Sequence, residues 1–147
     1  MAQVSKAKNF ICAVDGSKVA ERVASCAVDL AKASGAKLTF LNINIVPTRA
    51  RRTYFWDATL FAAADIQAHG QLNAAAKIAK TAKFTNVEGV IASGGNVADA
   101  IIAYAKKNKA DHIVMGTSTT NELARLFLGS VATAVVSHAD CPVTVVK

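Results

Sequence analysis

Cysteine is scarce in this chain, and its placement argues against a disulfide framework. The 147 residues include three cysteines, an odd number, and none of them belongs to a CxxC pair. Cys12 lies in an apolar segment and Cys26 in a helical pattern, where a free thiol behaves as a small hydrophobic side chain. The three histidines are isolated and lack the spacing of metal ligands. Disulfide, redox and metal chemistry are therefore not expected.

Long apolar runs are also missing. No stretch approaches the roughly 18–20 apolar positions that a transmembrane helix needs. The N-terminal residues, MAQVSKAKNFICAVDGS, pass directly into a strand-like segment without a hydrophobic signal region or a cleavage pattern. A composition of 52% hydrophobic and 18% charged residues is typical of a folded domain. These features predict one domain, residues 1–147, without a membrane segment and located in the cytoplasm.

Positive charge is in excess, with a formal net charge of +7 at pH 7. This excess favours anionic ligands, nucleotides included. Interleaved aromatic residues, helix-turn-helix patterns and zinc spacings are absent, so nucleic acid is not an expected partner. Residues 49–56 combine arginine with aromatic side chains. We interpret them either as a lid over a ligand or, preferably, as a surface loop that contacts a protein partner.

Short apolar segments alternate with helical patterns along the chain. The first helix is predicted between strands 9–15 and 36–46, with Ser17 as its N-cap and Gly35 ending it. This order of strands and helices predicts a single doubly wound α/β domain with a mostly parallel sheet. The later elements are predicted as a helix over 58–83, a strand over 86–93, a helix from an Asn96 cap to Asn108, a strand over 110–116, a helix from Gly129 and Ser130, and a strand over 141–147.

A candidate phosphate-binding loop follows the fourth predicted strand, in the sequence VMGTSTTNELARLFLGSV at 114–131. Gly116 allows a sharp turn, and Gly129 and Ser130 begin a helix whose free N–H groups attract phosphate. Ser130 is also a candidate cap for that helix. The spacing matches neither the Walker pattern nor GxGxxG. From the residues alone, a phosphate site and a polar turn with a serine cap stay equally open.

Asp15 is the second candidate functional residue, because it follows the first predicted strand. Such an aspartate contacts a ribose or a metal ion, or it only orders the turn into the next helix. Phosphorelay chemistry is excluded, since Ser93, Gly94 and Gly95 stand where a phosphoacceptor aspartate would be needed. No GxSxG nucleophile elbow is present. Whether the chain is an enzyme stays open.

Taken together, these segments resemble the universal stress protein family over nearly the whole chain. The resemblance implies a five-stranded parallel sheet in the order 3-2-1-4-5 with helices on both faces. It also implies a homodimer paired through the last strand, at about Val143–Val146, and an apolar edge strand is well covered by a symmetry mate. The resemblance is carried by AVDGS at 13–17, LTFLNI at 38–43, GNVADAIIAYAKKNKADHIVMGT at 95–117 and LARLFLGSVATAVVSHADCPVTVV at 123–146.

ATP-binding members of this family are similar in having G-x2-G-x9-G-[ST] after the fourth strand. In this chain the first glycine is Gly116, the last pair is Gly129 and Ser130, and Thr119 stands at the middle glycine. A β-branched residue there costs about 1–2 kcal/mol if the position has positive φ. Alternatively, the Thr119 side chain blocks the terminal phosphate, or its hydroxyl donates to a phosphate oxygen. The basic residue or histidine that the family usually has in this loop is replaced by Ser118 and Thr120.

The resemblance also assigns an adenine-nucleotide site. Asp15 matches the family aspartate near the ribose and adenine, and the helix start at Ser130 would hold phosphates. The expected ligand is ATP or another adenine nucleotide, with Mg²⁺ if it is a triphosphate. The expected binding residues are Ala13, Val14, Asp15, Ile43, Met115, Gly116, Thr119, Gly129, Ser130 and Val131.

Two hypotheses about function follow. The first is a dimeric, adenine-nucleotide-binding regulatory protein of the stress response without efficient turnover. The alternative is a nucleotide-independent dimeric interaction module with a vestigial pocket, which contacts an unknown partner through residues 47–57. Slow ATP hydrolysis is less well supported, because Asp15 is the only Mg²⁺ ligand that the sequence suggests.

Overall fold

A computed structural model describes residues 8–45, 58–117 and 128–147, with backbone only for 58–65. Thr119 and the arginine- and aromatic-rich residues 49–56 lie outside the described residues. Strands and helices alternate as the sequence predicts. In chain order they are β1 (Asn9–Ala13), α1 (Ala20–Ser34), β2 (Lys37–Ile45), α2 (Ala58–Thr81), β3 (Val87–Gly94), α3 (Val97–Lys107), β4 (His112–Gly116), α4 (Ser130–His138) and β5 (Val143–Val146).

The five strands form one sheet in the order β3-β2-β1-β4-β5, and every pair is parallel. This confirms the predicted fold class and strand order. β1 lies at the centre, with Ile11 opposite Thr39 of β2 and Ile113 of β4. The chain adds β2 and β3 on one side of β1 and then β4 and β5 on the other side. The carboxyl ends of β1, β2 and β4 therefore surround a crevice of the kind in which doubly wound proteins bind ligands.

Alternate residues of each strand point to opposite sides of the sheet. Both sides carry apolar side chains, and helices cover both. Phe10, Cys12 and Phe40 pack with residues of α1 and α2 in one core cluster. Ile11 and Leu41 pack with residues of α3 and α4 in the other. The strands are therefore buried on both faces, which explains why they read as continuous apolar runs rather than as alternating patterns.

The predicted Ser17 cap of α1 is wrong, because the helix begins only at Ala20 and Val19 occupies the N-cap position. The Ser17 N–H instead donates to Oδ1 of Asp15 at 2.9 Å, and its carbonyl accepts from Ala20 N–H at 3.2 Å. These bonds form an additional turn between β1 and α1. Gly35 ends the helix as predicted, in the left-handed conformation with φ of 65°.

The predicted cap of α3 is confirmed, since Oδ1 of Asn96 accepts from Asp99 N–H at 3.1 Å. The suggestion that Ser130 caps α4 is wrong, because Ser130 is the first helical residue and Gly129 is the N-cap. Glycine has no side chain with which to satisfy the N–H groups of the first turn. These groups have no carbonyl partner within the helix either.

Candidate functional site

A cavity of about 330 Å³ opens at the carboxyl ends of β1, β2 and β4, beside α2, α3 and the first turn of α4. This is the crevice that the strand order creates. Its volume lies near the lower end of the range of roughly 300–1,000 Å³ found for small-molecule pockets. Seven of the residues predicted from the sequence line it: Ala13, Val14, Asp15, Ile43, Met115, Gly116 and Val131.

Two further predicted residues, Gly129 and Ser130, are not among the residues that line the cavity. Gly129 and Ser130 lie immediately before Val131, at the start of α4. The Gly129 N–H donates to the carbonyl of Thr117 at 3.0 Å, which holds the start of α4 beside the end of β4. Thr119 lies outside the described residues, so the effect of threonine at this position stays a prediction.

Gly116, the last residue of β4, packs closely against α1. A Cβ atom at this position would lie 3.2 Å from a methyl carbon of Val19 and 3.2 Å from one of Val23. Those distances are tighter than ordinary van der Waals contacts, so a side chain here would push against α1. The glycine therefore allows α1 to pack close to the sheet at the edge of the cavity.

Asp15 orders the turn after β1 and also lies at the cavity. Its carboxylate oxygen Oδ1 accepts from the Ser17 N–H, which orders the turn after β1. Asp15 also lines the cavity and is exposed to solvent. The carboxylate is thus fixed at the mouth of the cavity, where it can accept hydrogen bonds from hydroxyl groups of a ligand.

Four carboxamide side chains along β2 and α2 line the cavity, and three of them, Asn42, Gln67 and Gln71, were not predicted from the sequence. Asn42 is only 6% exposed, and its Nδ2 donates to the carbonyl of Val14 at 3.1 Å and to Oε1 of Gln71 at 2.6 Å. The polar asparagine within the apolar run LTFLNINI was a signal of a site. Nothing local in the sequence marks the positions on α2. The four are Asn42, Asn44, Gln67 and Gln71.

The residues from α3 and α4 give the cavity an apolar side. Val97 and Ile101 of α3 and Val131 of α4 line it together with Ile43 and Met115 of the strands. The carboxamides come from α2 and from β2 positions whose side chains point to the α2 face. A cavity with one apolar and one neutral polar side suits a flat heterocycle that has hydrogen-bonding edges.

The one buried cysteine, Cys12, is not a candidate nucleophile. Cys12 is fully buried in β1, and burial raises the pKa of its thiol, which keeps it protonated and unreactive.

Within residues 8–45, 58–117 and 128–147, no group of three or more His, Cys, Asp or Glu side chains could hold a metal ion. Among the helices described, none combines the length and apolarity needed to span a bilayer. The cytoplasmic location stays a prediction.

The fold and the cavity define a doubly wound α/β protein with a cavity at its topological switch point. Comparison with known sequences identifies the family. A sequence model described as the universal stress protein family matches residues 6–147. A universal stress protein of Staphylococcus haemolyticus is 37% identical over 141 residues, covering 95% of this chain and 84% of the relative. One from Staphylococcus aureus strain USA300 is 35% identical with the same coverage. The chain belongs to the universal stress protein family.

Solved structures of similar proteins include nucleotide complexes. A universal stress protein in complex with cAMP superposes with a TM-score of 0.77 at 25% identity, covering 97% of this chain and 99% of that one. The Archaeoglobus fulgidus protein in complex with dAMP gives a TM-score of 0.69 at 26% identity, covering 97% and 100%. The UspA protein of Lactobacillus plantarum gives 0.77 at 27% identity, covering 98% and 100%. Both named ligands are adenine nucleotides.

Proposed function

We propose that this universal stress protein binds an adenine nucleotide as a regulatory ligand. The observation that carries the proposal is the cavity at the switch point, where seven residues assigned from the family's nucleotide site converge. Two structural relatives at 25–26% identity are complexes with cAMP and dAMP. Binding of the nucleotide would report its concentration to partners in the stress response.

The nucleoside part of the ligand occupies the described cavity in this proposal. At about 330 Å³ the cavity suits a heterocycle and its sugar better than a whole triphosphate. The phosphates extend past Val131 to the start of α4. There the N–H groups of Ser130 and Val131 belong to the first helical turn, which attracts anions through its unpaired donors and its dipole.

The lining of the cavity favours nucleotide binding without efficient turnover. Asp15 is the one acidic side chain among the described residues that line it, and one of its oxygens already accepts from Ser17 N–H. Phosphoryl transfer to water needs a positioned water and a metal ion held against the phosphates. For a triphosphate, Mg²⁺ would accompany the phosphate oxygens, with Asp15 as the carboxylate available from the cavity.

Release of bound nucleotide tests the proposal on the protein as purified. The protein is denatured, and the supernatant is analysed by mass spectrometry for adenine and guanine nucleotides. We expect an adenine nucleotide, either carried through purification or retained after incubation and desalting. Recovery of guanine nucleotides alone would contradict the adenine assignment. Recovery of no nucleotide after incubation at millimolar concentration would favour the nucleotide-independent interaction module.

Dimerisation through β5 is a separate proposal. Val143–Val146 forms an edge of the sheet, hydrogen-bonded to β4 on one side, and all four residues are half-buried. A second copy pairing antiparallel with this edge would satisfy its remaining N–H and C=O groups. Sedimentation velocity should give twice the 15.3 kDa mass of one chain. Hydrogen exchange should show protected amides in β5, and a monomer with rapidly exchanging β5 amides would contradict this pairing.

A further inference from the structure

The orientation of the Asn42 side chain is fixed by its contact with the backbone. Its Nδ2 atom lies 3.1 Å from the carbonyl oxygen of Val14. A carbonyl oxygen only accepts hydrogen bonds, so the atom facing it must be the NH₂ group. Amide oxygen and nitrogen are assigned from such networks. The buried backbone of Val14 therefore determines which end of Asn42 faces α2.

The orientation of Gln71 follows from that of Asn42. The same Nδ2 atom of Asn42 lies 2.6 Å from Oε1 of Gln71, and a donor requires an acceptor as its partner. The oxygen of Gln71 is thereby engaged. Its Nε2 group, a donor with two N–H bonds and no acceptor capacity, is left for other partners.

Gly16 shows where this donor lies. A Cβ atom on Gly16 would come within 2.8 Å of Nε2 of Gln71, so the amide nitrogen rests directly against a residue without a side chain. Gly16 and Gln71 both line the cavity, and Gln71 is half-buried. The chain thus places an oriented, neutral donor at the cavity wall, positioned by a buried asparagine.

We infer that Gln71 is a specificity-determining residue, which donates from Nε2 to a neutral acceptor on the nucleoside part of the ligand. The inference rests on the proposed nucleotide binding and deepens it. The acceptor is neutral because the Asp15 carboxylate, next to Gly16, also lines the cavity and disfavours an anion there. Two acceptors have this chemistry: a ring nitrogen of the base and a hydroxyl oxygen of the ribose. The phosphates lie beyond β1, at the start of α4.

A purely structural role for Gln71, in which it only ties α2 to the sheet, predicts different behaviour. Gln71→Glu keeps an acceptor for Asn42 and removes the NH₂ donor. Gln71→Met keeps the length of the side chain and removes both groups. Asn73→Met is the control, since Asn73 is exposed on the same helix and does not line the cavity. Thermal unfolding of each variant establishes that it is folded before binding is measured.

The experiment titrates the wild-type protein and the three variants with AMP and with adenosine by calorimetry. We expect Gln71→Met and Gln71→Glu each to weaken adenosine and AMP binding by about tenfold, the effect of one lost hydrogen bond at a desolvated site. Asn73→Met should change either affinity by less than about twofold. Using adenosine ensures that repulsion between the new carboxylate and phosphate does not produce the effect.

Several outcomes would overturn the inference. Wild-type affinity in Gln71→Glu would show that only the contact with Asn42 matters. Equal losses of affinity in Asn73→Met and Gln71→Met would show that Gln71 has no special role. A loss with AMP but none with adenosine would place the contact at the phosphate. If the wild-type protein binds neither ligand, the proposed function fails and the inference fails with it, whereas unchanged binding in the Gln71 variants refutes the inference alone.

Ligand analogues distinguish the two sources of the acceptor. AMP analogues that replace N1, N3 or N7 by carbon probe the base, and 2′-deoxy-AMP and 3′-deoxy-AMP probe the ribose. The analogue that lacks the true acceptor should lose about tenfold in affinity for wild-type protein and nothing further for Gln71→Met. Independent, additive losses for every analogue would contradict a direct hydrogen bond from Gln71.

Discussion

The amide nitrogen of Asn42 lies 2.6 Å from Oε1 of Gln71 and also donates to the carbonyl of Val14 at 3.1 Å. The buried side chain of Asn42 thus connects its own strand, β2, both to Val14, which follows β1, and to helix α2. Buried polar groups are stable when they are hydrogen-bonded in this way, and their removal leaves partners unsatisfied. The same contact orients the Gln71 amide at the cavity wall. Asn42 therefore contributes to stability and, through Gln71, to the proposed ligand specificity.

Removal of the Asn42 amide should destabilise the protein measurably. Asn42→Ala leaves the Val14 carbonyl and Gln71 Oε1 without their donor, which costs about 1–3 kcal/mol of unfolding free energy. Urea denaturation followed by circular dichroism measures this change. Asn44→Ala, two residues later on the same face of β2 and only half-buried, is the control and should cost less than about 1 kcal/mol. Equal costs would show that the Asn42 contacts contribute nothing specific.

A methyl group on Gly16 should displace Gln71. The added Cβ of Gly16→Ala would lie 2.8 Å from Nε2, the far end of a flexible side chain, so Gln71 can move at low cost. We expect adenosine affinity to fall about three- to tenfold, while the unfolding free energy changes by less than about 1 kcal/mol. Gly95→Ala, where nothing lies within 4 Å of the added atom, should leave adenosine binding unchanged. Wild-type adenosine binding in Gly16→Ala would argue against a role for Gln71.

Negative charge at the start of α4 should affect stability and nucleotide binding in opposite directions. Ser130→Asp places a carboxylate at the positive end of the helix dipole, which stabilises the helix by about 0.3–1 kcal/mol. The same carboxylate repels a phosphate at that site. AMP affinity should therefore fall at least fivefold while adenosine affinity is retained, a difference of about 1 kcal/mol. Ser137→Asp, near the other end of α4, is the control. Equal AMP affinities of Ser130→Asp and Ser137→Asp would show that the phosphate does not bind at the start of α4.

Protonation of His112 should destabilise the fold at mildly acidic pH. Its ring stacks on Phe10 with centroids 4.9 Å apart, its Nε2 lies 2.7 Å from Thr144 Oγ1, and burial lowers its pKa. Because the unfolded chain binds the proton more readily, stability is complete above the ordinary histidine pKa of about 6.5 and falls as the pH drops towards the lower folded value. His112→Gln should lose this part of the pH dependence in urea denaturation between pH 7.5 and 5. An identical pH dependence of stability in the wild-type protein and in His112→Gln would contradict a role for His112 protonation.

The fold was predictable because its signals are local and repeat along the chain. Apolar strand segments alternating with helices determine a parallel sheet, and residues after strand ends, such as Asp15 and Gly116, necessarily meet at one edge. The caps at Ser17 and Ser130 were predicted wrongly for a common reason. A serine beside a helical pattern does not show whether the helix begins there or after a further turn, and Asp15 captured the Ser17 N–H.

Gln71 could not be predicted from the sequence. Its place in the cavity depends on how α2 packs across β2, and that register is set by contacts such as those between Leu72, Ala75 and the sheet rather than by any motif. Asn42 was visible as a polar residue in an apolar strand, but its partner was not. The consequence of threonine at position 119 stays a prediction, because that residue lies outside the described residues.

Calorimetric titration of nucleotide-free protein with ATP, ADP and AMP, each with and without Mg²⁺, tests the central claim most directly. Adenosine and GMP serve as the matched ligands without phosphate and without adenine. The account predicts micromolar binding of at least one adenine nucleotide, weaker binding of adenosine and little binding of GMP. Absence of heat with every adenine ligand, confirmed by equilibrium dialysis, would contradict it and would identify the cavity as vestigial.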